Sequence, residues 1–149
     1  MQDRAVPVET RVRRMLEFAE LEFDADLRGW AEFMLTLERL EDAWARRLEA
    51  LASVEVLAEL ECTKETEVAF EQLMVYLLYR HIPAALEDDD LAGHLLYCVL
   101  MWHLIRAMTA QAGFSMENMV EICREYSAEI EYSDENVETI LDELNAWNN

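Results

Sequence analysis

Apolar residues recur along the chain at the spacing of helical faces. Val8, Val12, Met15, Leu16, Ala19 and Phe23 share one face of a first helix. Asp24 and Asp26 supply an N-cap for a second stretch. Its stripe runs through Leu27, Trp30, Ala31, Met34, Leu37, Leu40, Trp44, Leu48 and Leu51, with a break expected near Thr36. Ser53 restarts a short helix through Val54, Leu57 and Leu60. Thr63 caps the next helix, which runs to Ile82, where Pro83 stops it. Asp90 ends a charged turn and caps a helix over residues 91–112, closed by Gly113 as an αL C-cap. That helix is apolar on all sides between Leu95 and Ile105, the pattern of the most enclosed element of a bundle. Ser115 and Ser133 cap two further helices, which pack Met119, Cys123, Tyr126 and Ile130, then Val137, Ile140, Leu141, Leu144 and Trp147.

No strand-like alternation interrupts this pattern, and three Gly and two Pro are too few for a turn-rich β fold. The prediction is one all-α domain over residues 1–149, a bundle of six or seven helices around a central apolar helix. The apolar run 95–105 is far shorter than the roughly 20 residues of a membrane span, so it reads as buried core. The N-terminus opens without an apolar run, so no secretory signal is expected. Cys62, Cys98 and Cys123 are odd in number and widely spaced, as free thiols in a reducing cytoplasm are. A net charge of −20 repels phosphate backbones and argues against nucleic acid. Ten acids against one base after Phe114 form a solvated face or a surface that steers basic partners.

The usual catalytic constellations are missing. No Glu precedes a His by three positions, so a di-iron bundle is excluded. His94 and Cys98 are one turn apart, yet nothing marks further ligands, so no metal site is assigned. There is no nucleophile elbow and no Gly-rich phosphate loop. Two polar lines remain. Gln72, Tyr76 and Arg80 share a helical face in an otherwise apolar stretch, which places Arg80 partly buried and in need of Glu129, Glu131 or Glu71. Such a pair fixes helix register, or else Arg80, Tyr76 and His81 hold a ligand carboxylate or a partner. His94, Cys98, Trp102 and Arg106 form the second line, with Arg106 able to stack over Trp102.

Phe70-Glu71-Gln72-Leu73-Met74-Val75-Tyr76-Leu77-Leu78-Tyr79-Arg80-His81 resembles the "E-N, apolar, Y, apolar, F/Y-R-H" signature of the flagellin lysine-N-methylase family. The stretch from Glu121 to Asn136 is similar to that family's "I-x-x-Y-S-x-E, apolar, E-H-S-x-E-N" ending. Leu104-Ile105-Arg106 and Leu37-Glu38-Arg39-Leu40-Glu41-Asp42-Ala43-Trp44 match in pattern. Gln72 stands for an expected Asn and Tyr132 for an expected His. The resemblance implies S-adenosylmethionine as cofactor and methyl transfer to the ε-amino groups of lysines on flagellin or another lysine-bearing protein. Full-length members carry a cysteine-rich N-terminal region with no counterpart here, so the chain resembles the C-terminal helical portion alone, and activity on its own is left open.

A lysine with a pKa of about 10.4 must lose a proton before it can accept a methyl group, and Tyr126 or Glu129 is expected to accept it. Glu71, Tyr76, Arg80, His81, Arg106 and Glu131 are expected to contact substrate or partner. The competing reading is a non-catalytic acidic module that binds a partner protein or a second copy of itself.

Overall fold

The computed structural model describes residues 4–23, 26–38 and 41–148. Among the described residues eight helices follow one another: α1 (Val8–Phe18), α2 (Leu27–Met34), α3 (Asp42–Ser53), α4 (Lys64–His81), the single turn α5 (Ala85–Asp88), α6 (Leu91–Ala112), α7 (Met116–Tyr126) and α8 (Asp134–Asn148). No strand occurs among the described residues, and the bundle is all-α as predicted.

The apolar helix is the axis. α6 lies against α3, α4, α7 and α8, and every residue from Gly93 to Trp102 is buried. It is long and apolar enough to cross a membrane, but 78% of its most apolar window is buried inside the bundle. Its few polar groups are answered locally. Trp102 Nε1 donates to the Phe70 carbonyl at 2.8 Å, and Thr109 donates to Ile105.

The caps sit where the sequence places them. Thr63 and Thr66 form a reciprocal capping box at the start of α4. Asp26, Asp90, Ser115 and Ser133 each accept from a backbone N–H three residues on. The predicted cap Asp24 and the stripe residue Leu40 lie outside the described residues.

Several boundaries differ from expectation. α1 ends at Phe18 instead of reaching Phe23, because Glu20 turns left-handed (φ 57). Leu21 N–H then closes on Leu16 O and Glu20 N–H on Glu17 O. The chain reverses and lays Phe23 on His103, ring centroids 5.4 Å apart. The break near Thr36 is a full separation of α2 from α3, and the Thr36 hydroxyl donates to Phe33 O at the junction. Ser53 starts no helix; its hydroxyl donates to Ala50 O within α3, and Val54 is extended. Residues 54–63 cross the surface without helix, with Leu57 and Leu60 half-buried on the core. α4 stops at His81, where Pro83 enters a 3₁₀ turn. Gly113 has positive φ (86) but ψ 129, an extended exit and not an αL cap. Trp147 is 54% exposed and rests on Trp30 outside the core.

Candidate functional site

Between α7 and α8 the backbone widens into one π-helical segment, Ser127–Glu131, closed by Tyr132 N–H on Ser127 O. Successive residues of an α-helix turn by about 100°, so three in a row cannot share one face. The π segment re-phases the face and buries Glu129, Ile130 and Glu131 together. Segments of this kind are frequent at functional sites. The two carboxylates diverge. Glu129 accepts from the Glu41 backbone N–H at 2.8 Å, and its own carbonyl accepts from Asn136. Glu131 turns to α4.

There Glu131 bonds two of the predicted side chains, Tyr76 and His81. The Tyr76 hydroxyl donates to Oε1, and His81 Nε2 stands 3.1 Å from Oε2. Ser127 Oγ donates to Oε1 at 3.5 Å. The line continues inward. Tyr126 OH is 3.2 Å from His81 Nε2, and Tyr97 OH is 2.8 Å from Tyr126 OH. An ionised carboxylate only accepts, so the proton on this edge of His81 sits on Nε2. The Glu131 side chain is 0% exposed. Burial would raise its pKa, but the bonds from His81 and Tyr76 outweigh burial and hold it below the ordinary value.

The phenols move the other way. Burial, then the bond to Glu131, pushes Tyr76 up to about 12. Burial raises Tyr97, and raises Tyr126 well above its ordinary value. Tyr126 therefore stays protonated in its bonds with His81 and Tyr97.

The remaining predicted site residues sit elsewhere. Arg80 is half-exposed, at 47%, and reaches Glu131 Oε1, one of its predicted partners, at the longer distance of 4.0 Å. Tyr76 and His81 occupy the nearer positions on that carboxylate. Glu71 is held instead by Arg4 and by the buried Arg11. Arg106 bonds Glu9 at 2.7 Å and lies over the Trp102 ring, as the second polar line anticipates. Glu129 accepts from the Glu41 backbone N–H, while Tyr126 bonds His81 and Tyr97. His94 pairs with Asp88 and the Cys98 thiol points to Leu77 O, so they face no common ion. Among the described residues no group of three His, Cys, Asp or Glu is placed to hold a metal.

Sequence reasoning missed Tyr97, although a hydroxyl in an all-apolar helix demands a partner and was the available signal. It also missed the groove beside the cluster. α4 and α7 leave a cleft of about 990 Å³ between them, floored by Ala69, Leu73, Met119 and Cys123. Val68 and Val120 rim it, and Tyr76, Tyr126 and Ser127 close one end. Burial raises the Cys123 thiol to about 11, so this wall is unreactive. A second hollow of about 670 Å³ lies among α1, α2 and α8. Its two indoles, Trp30 and Trp147, pack on each other at 5.5 Å and leave no slot between them.

Comparison with known proteins gives one match, to the family described as the FliB lysine N-methylase C-terminal domain, over residues 9–149. No curated protein and no solved structure matches the chain.

Proposed function

The chain belongs to the FliB lysine N-methylase C-terminal domain family, and from that premise we propose that it supports methyl transfer from S-adenosylmethionine to lysines of a partner protein. Flagellin is the class of partner the family suggests. The observation that carries this reading is Glu131, an enclosed carboxylate that bonds Tyr76, Ser127 and His81 and lies behind Tyr76 and Ser127, which line one end of an apolar cleft. An ammonium brought to the Tyr76 end meets that carboxylate field. Glu131 is then the carboxylate whose field would draw that ammonium, in place of Glu129, which accepts from the Glu41 backbone N–H.

The cleft shows no distinct fit to S-adenosylmethionine: its floor is aliphatic and thiol, and the polar residues on its walls, Lys64, Glu65, Gln72 and Arg124, are exposed side chains. The glycines build no cradle either. Cβ atoms at Gly29 and Gly93 would strike the capping Asp26 and Asp90, so these two serve helix starts. The test is methyl-lysine formation on purified flagellin, read by mass spectrometry, by an enzyme carrying this chain or its Glu131→Gln variant. A loss of about tenfold or more is expected. Undiminished methylation removes Glu131 from the reaction.

A further inference from the structure

We infer that α1 is a lid that lifts from α4 and α6 as one unit while the rest of the bundle stays folded, joining three hollows into one trough along α6. The helix does not hold itself. Its 11 residues fall short of the roughly 12 to 15 that an isolated helix needs in water. Pro7 stands at the N-cap position and makes no side-chain cap bond. The carboxylate that caps α1 comes from α4, where Glu67 accepts from the Val8 N–H at 2.6 Å. Off α4, the helix loses its cap and its seat together, so undocking and unwinding are one event. Val8, Val12 and Leu16 are the apolar side chains that α1 buries, whereas α6 is buried without a break from Gly93 to Trp102. Ion pairs add a partial hold. Arg11 and Glu71 are enclosed, but Arg4 on Glu71 and Glu9 on Arg106 are largely exposed, where water and salt weaken the attraction.

Hollows adjoin the helix along its length. The one of about 670 Å³ among α1, α2 and α8 shares Arg13, Leu16 and Phe23 with a smaller one of about 150 Å³. That one shares Glu9 and His103 with a third, of about 320 Å³, beside Leu57 and Leu60. A residue shared by two hollows is a wall between them, and Glu9, Arg13 and Leu16 all belong to α1. The other two walls, Phe23 and His103, stack on each other and stay behind. Lifting α1 therefore frees Arg106 from Glu9 and opens the His103 imidazole to the trough. The hinge lies where the helix already ends, at the left-handed Glu20 (φ 57).

The experiment is native-state hydrogen exchange of the full chain, read by mass spectrometry. The amides of residues 12–18 are expected to exchange as a group, with protection about a hundredfold or more below that of α6. Glu67→Ala removes the cap that α4 supplies and is expected to raise the opening of α1 about fivefold, with α6 unchanged. Val12→Ala empties part of the seat and should act in the same direction. Diethyl pyrocarbonate, which modifies neutral imidazole, reads the trough. His103 should react about fivefold faster in Glu67→Ala, with His81 and His94 at unchanged rates. Equal protection of α1 and α6, or variants that speed exchange of both by the same factor, means that α1 opens only when the whole bundle unfolds, and overturns the inference. Faster exchange of α1 with His103 no more reactive means that the helix unwinds in place, and overturns it as well.

Discussion

Two buried glutamates near the same helix have opposite surroundings. Glu71 projects from the middle of α4 and meets guanidinium groups: Arg4 at 3.1 Å and the buried Arg11 at 3.5 Å. One turn earlier, Glu67 accepts from the Val8 backbone at the start of α1. Together these contacts clamp α1 onto α4. Glu131 reaches the C-terminal end of α4 from the π segment and meets Tyr76, His81 and Ser127, with the half-exposed Arg80 at 4.0 Å. Both are carboxylates and both are enclosed. At Glu71 the negative charge is cancelled by fixed cations, so the pair holds structure and has nothing left to bind. At Glu131 the oxygens are taken by two hydroxyls and an imidazole, and the guanidinium contact, Arg80 at 4.0 Å, is longer than either at Glu71.

The contrast breaks most sharply in stability. Glu71→Ala breaks the contacts to the buried Arg11 at 3.5 Å and to Arg4 at 3.1 Å, and breaking a buried ion pair costs about 3 kcal/mol. Glu131→Gln keeps acceptor and donor atoms for Tyr76 and His81 and should stay within about 1 kcal/mol of the parent. Urea unfolding of the two variants checks both figures. If their losses are equal, Glu131 is a clamp like Glu71 and the distinction fails.

A third enclosed ionisable group, His103, serves as control because it carries no charge. Burial holds its pKa down to about 4 from 6.5. The unfolded chain takes up a proton between pH 6.5 and 4 that the folded chain refuses, so stability falls as pH falls through that window. The loss from this side chain is roughly 2 to 3 kcal/mol. His103→Phe retains a ring to stack on Phe23 and removes that part of the acid slope. Unfolding midpoints at several pH values give the slope for each. Parallel slopes would mean that His103 is not buried in its neutral form.

Much of this architecture is legible in the sequence, and the parts that are not share a cause. Local signals succeed where one residue decides: Thr63, Asp90, Ser115 and Ser133 cap the helices they were expected to cap. The apolar run of α6 identifies the central helix because no other place in a bundle is dry on all sides. Failures arise where a distant partner decides. Ser53 has the chemistry of a cap, but its hydroxyl turns back to the helix it ends. Arg80 lies in an apolar stretch, yet Tyr76 and His81 hold the carboxylate ahead of it. The π segment carries no Gly or Pro to announce it. Without it Glu129 and Glu131 are equivalent candidates; with it, one faces the α3 entrance and the other faces α4. The resemblance to the methylase family marks Tyr76, His81, Tyr126 and Glu131 among its pattern positions, and these four meet. It marks Glu71, Arg106 and Glu129 as well, and these serve other contacts.

The smallest effect asks how much of the Glu131 field depends on Tyr76. This phenol is 45% exposed and stands at the mouth of the cleft, so water can replace its bond in a Tyr76→Phe variant. The stability cost at neutral pH is then about 0.5 to 1 kcal/mol, below that of a buried bond to a charged acceptor. The pH dependence carries the sharper information. The Tyr76 bond is one of those that hold the Glu131 carboxyl low, so its loss moves that carboxyl up toward the ordinary value. A carboxyl with a depressed folded pKa stabilises above its unfolded value, and that stabilisation is lost as pH falls through the folded one. The deficit of the variant should therefore be full at neutral pH and shrink at about pH 3. Chemical unfolding at the two pH values decides the matter. A deficit that is the same at both would assign Tyr76 to packing alone and leave His81 as the group that keeps Glu131 ionised.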